Sequence, residues 1–552
     1  MKKCVIITTI NEPTKTIYAH IANTAYDCII VGDKKTPDTY KDLKCIYLDV
    51  TKQKEMYPEL ADIIPYNHYC RKNLGYIYAI QNNYELIYET DDDNIPYENF
   101  DNIINEPATH LIEETSRKWI NIFKYFTNGG HIWPRGYPLS LVKSESNFRI
   151  EETTKKPSII CGLVENDPDV DSIFRLTSNE QVKWEKDKKI FIANKNYSPF
   201  NTQNTFWLNK EIFMAMLIPS TVSFRYCDIL RGIIASRLLE ETDNNIMFTS
   251  PNVRQDRNEH NLMSDFKSEV DMFLHNETIL NGFDDVSFVY LIQAKGSLPS
   301  IYECLRSRDF ILLSYKEQTQ DSHIYFPNST WTTGRNKLRE YALNLKKKYD
   351  YYIFLDEDVV FLEKNQEDGF TEVERLIRKY LPIIATPNYV GYYEAHAQKR
   401  VEQITEATTT IEVDALFNIF SYESFTSEKL FPYVDKFDSI SWWASQWILI
   451  CLMYAYDKEI MLFNFLKIGN IQGSEYPKGE YVQKAIEYLD DRFTNTKDKP
   501  LLDYKEYCNG KCYIKTVDNK QKLRHIYRKL YKMGIVKELD IDIVERWLKY
   551  FK

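Results

Sequence analysis

The sequence predicts an α/β protein made of two tandem units followed by a helical C-terminal segment. Three observations lead there. Strand-like and helix-like runs alternate from the N-terminus, two acidic triplets each follow an apolar run, and a basic helix start lies at a similar distance ahead of each triplet. The first triplet, Asp91-Asp92-Asp93, follows Leu86 to Tyr88, and the second, Asp356-Glu357-Asp358, follows the run YYIFL that begins at Tyr351. Arg71 precedes Asp91 by 20 residues, and Arg335 precedes Asp356 by 21. Leu74, Ile77 and Tyr78 follow Arg71, and Leu338, Tyr341, Ala342 and Leu345 follow Arg335. That spacing marks one helical face. Helix, strand and acids therefore recur as one α/β unit, duplicated and diverged.

The elements follow in order. Val5–Ile10 reads as a strand, Thr14–Asn23 as a helix, Asp27–Val31 as a strand ending in Gly32-Asp33, and Cys45–Leu48 as a third strand. The Arg71 helix and the strand at Leu86 come next. Such βαβ alternation predicts a mainly parallel sheet with ligands at the carboxyl ends of its strands. Thr8, Thr9, Asn11, Asp33 and Arg71 fall at those ends or at a helix start. The first three suit a nucleotide base and ribose, Asp33 can accept from a base N–H or a sugar hydroxyl, and Arg71 can contact phosphate. For each residue alone, a capping or turn role is at least as good a reading. After Gly129-Gly130 the chain is turn-rich around Arg135, and an amphipathic helix is expected from Arg225 through Leu239 with Asp228 near its start. Asp228 either favours the helix dipole or faces an acceptor as a base.

A boundary falls near Asn276–Asp285, after which Val286–Gln293 and Phe310–Tyr315 restart the strand pattern. In the second unit Phe417-Asn418 corresponds to Phe200-Asn201, and Asp438 to Asp228. Trp442–Tyr456 is too short to span a membrane and reads as a buried helix. The expected domains are 1–280, 281–480 and a helical extension over 481–552.

At 552 residues the chain is long enough for two to four domains. Hydrophobic content of 43% with 27% charged residues fits a soluble globular protein, and a net charge of −10 opposes nonspecific nucleic-acid binding. The N-terminal apolar run is broken by Asn11 and Pro13 and lacks the form of a signal peptide. The 10 cysteines lie mostly in apolar runs, as reduced thiols of a cytoplasmic protein would. Cys508 and Cys512 are the exception, spaced for a hairpin disulfide or half a metal site.

Adjacent carboxylates repel one another unless a cation sits among them. Hard oxygen ligands suit Mn²⁺ or Mg²⁺, ions usually shared with substrate phosphates. A solvated acidic turn is the plain alternative, and the second copy weighs against it. Asp91 and Asp93 are the candidate metal ligands of the first site, Asp356 and Asp358 of the second, with His260 as a further ligand or phosphate contact. Asp91 and Asp356 are also candidates for ribose contact, and Arg335 for phosphate. Asp228 and Asp438 are candidates for the carboxylate that removes an acceptor proton. Trp442 and Trp443 suit either a sugar face or the core.

Over roughly the first 270 residues, the strings TTINEPTK, VGDKKTP, PYNHYCRKNLGYIYAIQ, DDDN, IWPRGYPL, DPDVDSIFRLT, PFNTQNT, CDILRG and QDRNEHNLMSDF resemble the STELLO-type glycosyltransferases of plants and their relatives. That resemblance implies a GT-A-like fold and a nucleoside diphosphate sugar donor, UDP-linked in preference, with a glycan or protein-linked acceptor. Plant members carry an N-terminal membrane anchor, whereas this sequence opens at its first strand, which argues against a Golgi location. The run Arg135 to Ser140 also resembles the UDP-arabinopyranose mutases. Those imply sugar-ring isomerisation through transient attachment to Arg135. The second half resembles GT-A transferases only in its strand followed by Asp-x-Asp. The leading expectation is a bifunctional, metal-dependent glycosyltransferase. The alternatives are a mutase and a noncatalytic nucleotide-sugar-binding scaffold.

Overall fold

The computed structural model describes residues 1–551 apart from 116–117, 128–130, 146, 179, 181, 241, 243, 257–260, 391–405, 411–412, 472–479, 496–498 and 506–518. The chain forms two compact units. The first is Met1–Phe283 together with Leu523–Lys552, and the second is Asp284–Lys522. The second unit is therefore inserted into the chain of the first. The segment 481–552, expected as one extension, is divided between them. Ala485 and Leu489 of the helix Glu480–Asn495 join the core of the second unit. Leu523, Leu530 and Trp547 join the core of the first. Amphipathic helices follow whichever core their apolar face fits, and sequence adjacency does not decide it.

The first unit holds an 11-stranded sheet. Its leading half is parallel: β1 (Lys3–Thr8) lies between β2 (Asp27–Val31) and β4 (Leu86–Thr90), and β3 (Ile46–Leu48) extends β2. The other half is mixed. β10 (Asn204–Trp207) runs antiparallel to β4 and to β8 (Ile159–Glu165), and β8 is parallel to β11 (Ile246–Gln255). β5 (Asn94–Pro96) and β9 (Lys189–Ile192) both pair antiparallel with β11, and β6 (His110–Glu114) and β7 (Phe148–Glu152) extend the edge beyond β9.

The second unit repeats this plan over 9 strands. β12 (Phe288–Ala294) lies between parallel neighbours β13 (Phe310–Ser314) and β15 (Tyr351–Asp356), with β14 (Ile324–Tyr325) beyond β13. β19 (Phe417–Ser421) is antiparallel to β15 and to β17 (Ile384–Tyr389), and β17 is parallel to β20 (Ile460–Asn470). β16 (Val359–Phe361) and β18 (Ala407–Thr410) flank β20 antiparallel, as β5 and β9 flank β11. The order β3-β2-β1-β4-β10-β8-β11 matches β14-β13-β12-β15-β19-β17-β20 strand for strand. The duplication seen in two acidic triplets thus extends through seven strands of each sheet and the two strands flanking β11 and β20, while β6 and β7 are additions of the first unit.

The central strands read as unbroken apolar runs because both faces of the sheet are covered. Cys4 and Ile6 of β1 point into one core cluster, Val5 and Ile7 into another. The helix Lys72–Gln81 lies close on this sheet at Gly75, where a Cβ would come within 2.6 Å of Val31. The helix expected from Arg225 runs over Cys227–Leu239 and is buried on nearly every side, so it is a core helix and not an amphipathic one. Trp443–Ala455 forms the buried helix expected there. Among the described residues no helix is long and apolar enough to cross a membrane. The 8 described cysteines are free thiols, and Cys508 and Cys512 lie outside the described residues.

Candidate active site

A cavity of about 440 Å³ opens at the carboxyl ends of β1, β2 and β4 in the first unit. Thr8, Thr9, Asn11, Asp33 and all three acids of the first triplet line it, with Arg135 and Asp228 opposite. The three acids have different surroundings. Asp92 faces the loop after β1: its carboxylate accepts from the Thr9 hydroxyl and, at 2.9 Å, from Asn11 Nδ2, while its carbonyl accepts from Thr14. Asp91 is held from below. Its Oδ1 accepts from the Tyr69 hydroxyl and lies 3.5 Å from the buried Lys72 ammonium. Burial raises the Asp91 carboxyl above its usual range against the pull of Lys72.

Asp93 differs from both. Its Oδ2 accepts from Gln255 Nε2 at 2.9 Å, but its Oδ1 is buried and takes no hydrogen bond. Burial, then the charge of Asp91, pushes its pKa up to about 7. A carboxylate in that position is missing a positive partner. Among the described residues no three His, Cys, Asp or Glu side chains gather to hold a metal by themselves. The two outer carboxylates fit a hard divalent cation that takes its remaining oxygens from phosphate and water.

Elsewhere on this rim, Thr8 Oγ1 is buried without a partner. Asp33 accepts from the backbone N–H groups of Lys34 at 2.7 Å and Asn67 at 2.6 Å, which ties the loop after β2 to the loop at Asn67.

Arg71 does not reach the cavity, contrary to its expected role at phosphate. It is fully buried, bonded to Gln53 and to the carbonyls of Ala61 and Ile64. Lys72 takes the place beneath the acids. Adjacent helical residues project about 100° apart, so a one-residue difference decides which cation reaches the acids. The true counterpart of Arg335 is Lys72. Arg335 is likewise buried and donates to Asp356 Oδ1 at 2.7 Å, with the Trp331 indole N–H donating to the same oxygen at 3.1 Å.

Arg135 sits between two carboxylates. Nε donates to Asp169 at 2.7 Å, one terminal nitrogen to Asp169 at 3.0 Å and Asp228 at 2.7 Å, and the other to Asp228 at 3.1 Å and the Arg225 carbonyl. All five N–H donors are engaged. Burial alone would depress this guanidinium, but Asp169 and Asp228 hold its pKa well above the ordinary value. A protonated, fully bonded guanidinium is no nucleophile, which opposes sugar attachment at Arg135. Asp228 has both oxygens on Arg135 as well, so the geometry makes it a partner of Arg135 and not a free base.

Asp169, Gln203, Glu89 and Arg231 gain roles only from the fold, although three of them lie in the strings DPDVDSIFRLT, PFNTQNT and CDILRG. Glu89 and Arg231 form a fully buried ion pair at 2.7 Å that ties the helix Cys227–Leu239 to β4 and sets Asp228, one helical turn earlier, at the cleft. Gly232 lets that helix approach the Phe200 segment, where a Cβ would stand 2.2 Å from the Phe200 carbonyl.

In the second unit Asp356, Glu357 and Asp358 end β15 as the first triplet ends β4. Glu357 accepts from the Lys295 N–H at 3.0 Å, in the loop after β12, and from the Tyr315 hydroxyl at 3.1 Å. It repeats the task of Asp92. Asp438 accepts from the hydroxyls of Thr330 and, at 2.6 Å, Thr332, which fixes the start of the helix Trp331–Asn344. Both its oxygens are bonded there, against a role as base. The pairing of Asp438 with Asp228 is also corrected: Ala444 holds the second position of the helix Trp443–Ala455, as Asp228 does in Cys227–Leu239. Strand register matches Asn418 with Thr205, not with Asn201. Trp442 stacks on Trp331 at 4.6 Å between ring centroids. His260 lies outside the described residues.

No family model matches the chain. Over 287 residues it is 27% identical to the probable glycosyltransferase STELLO2 of Arabidopsis thaliana, covering 48% of this chain and 37% of that protein. STELLO1 of the same plant, also named a probable glycosyltransferase, is 26% identical over 260 residues, 44% of this chain and 34% of its own length. The chain thus spans little more than a third of the relatives it matches. Among solved structures, GalNAc-T7 with UDP, GalNAc and Mn²⁺ aligns at a TM-score of 0.29 and 9% identity, covering 45% of this chain and 57% of that one. Glucosyl-3-phosphoglycerate synthase from Mycobacterium tuberculosis aligns at 0.24 and 13%, covering 39% and 82%. The N-terminal half of this chain is similar to the STELLO-type probable glycosyltransferases.

Proposed function

We propose that the first unit is a GT-A-like, nucleotide-sugar-dependent glycosyltransferase, and that the second unit is a diverged transferase unit built on the same plan. The observation that carries the reading is the unpartnered, buried Oδ1 of Asp93 beside Asp91 at the end of β4. The names of the STELLO relatives point the same way. A bound Mn²⁺ or Mg²⁺ would stabilise the charge that develops on the departing diphosphate. This chain's own residues supply the rest. Asp91 and Asp93 would hold the ion, with Lys72 fixing Asp91. Thr8 and the loop pinned by Asp92 would receive the nucleoside, and the Asp169–Arg135–Asp228 assembly would wall the opposite half against which the sugar and acceptor lie. A UDP-sugar is the favoured donor and a glycan or glycoconjugate the favoured acceptor. In the second unit Asp356 and Asp358 would hold the corresponding ion.

The saturated guanidinium of Arg135 weighs against the mutase alternative. Incubating the chain with a panel of nucleotide sugars and Mn²⁺, with mass spectrometry for released nucleotide, tests the reading. Nucleotide release supports it. Interconversion of sugar isomers with no release would support the mutase instead.

A further inference from the structure

Gln203 stands at the junction of the two halves of the cleft. The antiparallel register pairs Asn204 with Thr90, which sets Gln203 level with Asp91. Its backbone is engaged on both sides: its N–H donates to Asn201 Oδ1 at 3.0 Å, and its carbonyl accepts from Asn94 Nδ2 at 3.4 Å. Its side chain is not. Gln203 is 7% exposed and lines the cavity, and its Oε1 is buried with no hydrogen-bond partner. Buried amide oxygens are rarely left unbonded, and one that faces a cavity marks a bond that a ligand or water completes.

The chemistry of the group narrows the ligand. The unpartnered atom is an amide oxygen, which needs a donor, and a sugar hydroxyl supplies one where an ionised phosphate does not. On one side of it lie the acids proposed to hold the cation. On the other, Asn201 Nδ2 donates to Asp169 of the Arg135 assembly. Phe224 lines the same cavity, 57% exposed, with its ring packed edge-on against Tyr69 at 5.6 Å and His68 at 6.4 Å. An aromatic ring fixed in this way suits the C–H face of a sugar.

The second unit provides an internal comparison. There Phe417 pairs with Leu355, so the residue level with Asp356 is Leu416. Leucine can make no such bond.

We infer that Gln203 reads a hydroxyl of the donor's sugar ring in the first unit, and that the second unit, with Leu416, makes no equivalent contact and so selects its donor differently. This rests on the nucleotide-sugar reading above. Calorimetric titration of the full chain carrying Asp358→Ala, in Mn²⁺, with UDP and with a panel of UDP-hexoses and UDP-pentoses, tests both together. Adding Gln203→Leu is expected to weaken the preferred UDP-sugar about tenfold, the scale of one lost hydrogen bond, with UDP affinity changed less than twofold. Gln203→Asn, which keeps the amide but shortens it by one methylene, should fall between. Unchanged UDP-sugar affinity in both variants, or equal loss for UDP and UDP-sugar, overturns the assignment of Gln203. Failure of the Asp358→Ala chain to bind UDP or any UDP-sugar overturns the nucleotide-sugar reading itself.

Discussion

Three neighbouring aspartates have three different surroundings, and substitutions should separate them. Asp92 bonds the loop after β1, so Asp92→Ala should loosen that loop and weaken nucleotide binding. In a chain whose second site is silenced by Asp358→Ala, Asp93→Ala should abolish the metal-dependent part of that binding while leaving the fold intact, and calorimetry with and without Mn²⁺ distinguishes the two. The pH dependence follows from the raised pKa of Asp93, about 7 against an unperturbed 3.8. Between those values the folded chain holds a proton that the unfolded chain has released. Metal-free stability from this group therefore falls as pH rises from about 4 to about 7, then levels off. Asp93→Asn should match the parent near pH 4 and exceed it at pH 8 in urea unfolding. Mn²⁺ affinity should rise through pH 7 as the competing proton leaves. An unchanged urea midpoint difference across that range would remove the electrostatic argument. Arg135→Ala leaves Asp169 and Asp228 buried without their shared cation, which should cost about 3–5 kcal/mol in urea unfolding. The parent chain, denatured in acid after incubation with labelled UDP-sugar, should carry no label at Arg135.

At the scale of elements, the C-terminal helix Glu538–Trp547 braces the segment that leads into the cleft. Asp540 is 1% exposed and accepts from the N–H and hydroxyl of Ser220 at 2.7 and 2.8 Å, and from those of Thr221. Trp547 Nε1 donates to the Met214 carbonyl at 3.0 Å. Phe224 and Arg225 follow a few residues on and line the cavity. Asp540→Ala leaves several buried donors unpaired and should cost about 3 kcal/mol in urea unfolding. The strands and helices of the parallel half were legible in the sequence because buried parallel strands write themselves as apolar runs. The acidic strand ends were legible because clustered like charges demand an explanation. Which neighbour does which job was not. Arg71 and Lys72 share a motif but face different ways, and only the fold decides between them. Gln203 becomes visible only when β10 is laid against β4, more than a hundred residues earlier. The pairing of Asp438 with Asp228 failed because an acid near a helix start is equally a cap, and here it bonds Thr330 and Thr332. The C-terminal helices advertised an apolar face but not the core that receives it.

At the scale of the molecule, connectivity makes its own prediction. The second unit is one continuous segment, Asp284–Lys522, whereas the first is completed only by Leu523–Lys552. A 284–522 fragment should unfold cooperatively by itself. A 1–283 fragment should lack a cooperative transition until 523–552 is supplied in trans, because Trp547 and Leu530 belong to its core. Cooperative unfolding of 1–283 alone would contradict the insertion. The shared strand order also implies that both acidic triplets descend from one site, yet the residue level with the first acid is Gln203 in one and Leu416 in the other. The central claim is a divalent cation held by Asp91 and Asp93 against a nucleoside diphosphate. Thermal unfolding of the full chain with UDP, GDP and CMP, each with and without Mn²⁺, tests it most directly. In a chain carrying Asp358→Ala, one nucleotide is expected to raise the midpoint only when Mn²⁺ is present, and adding Asp93→Ala is expected to remove the rise. No metal-dependent rise with any of the three, or a rise that survives Asp93→Ala and Asp358→Ala together, would contradict it.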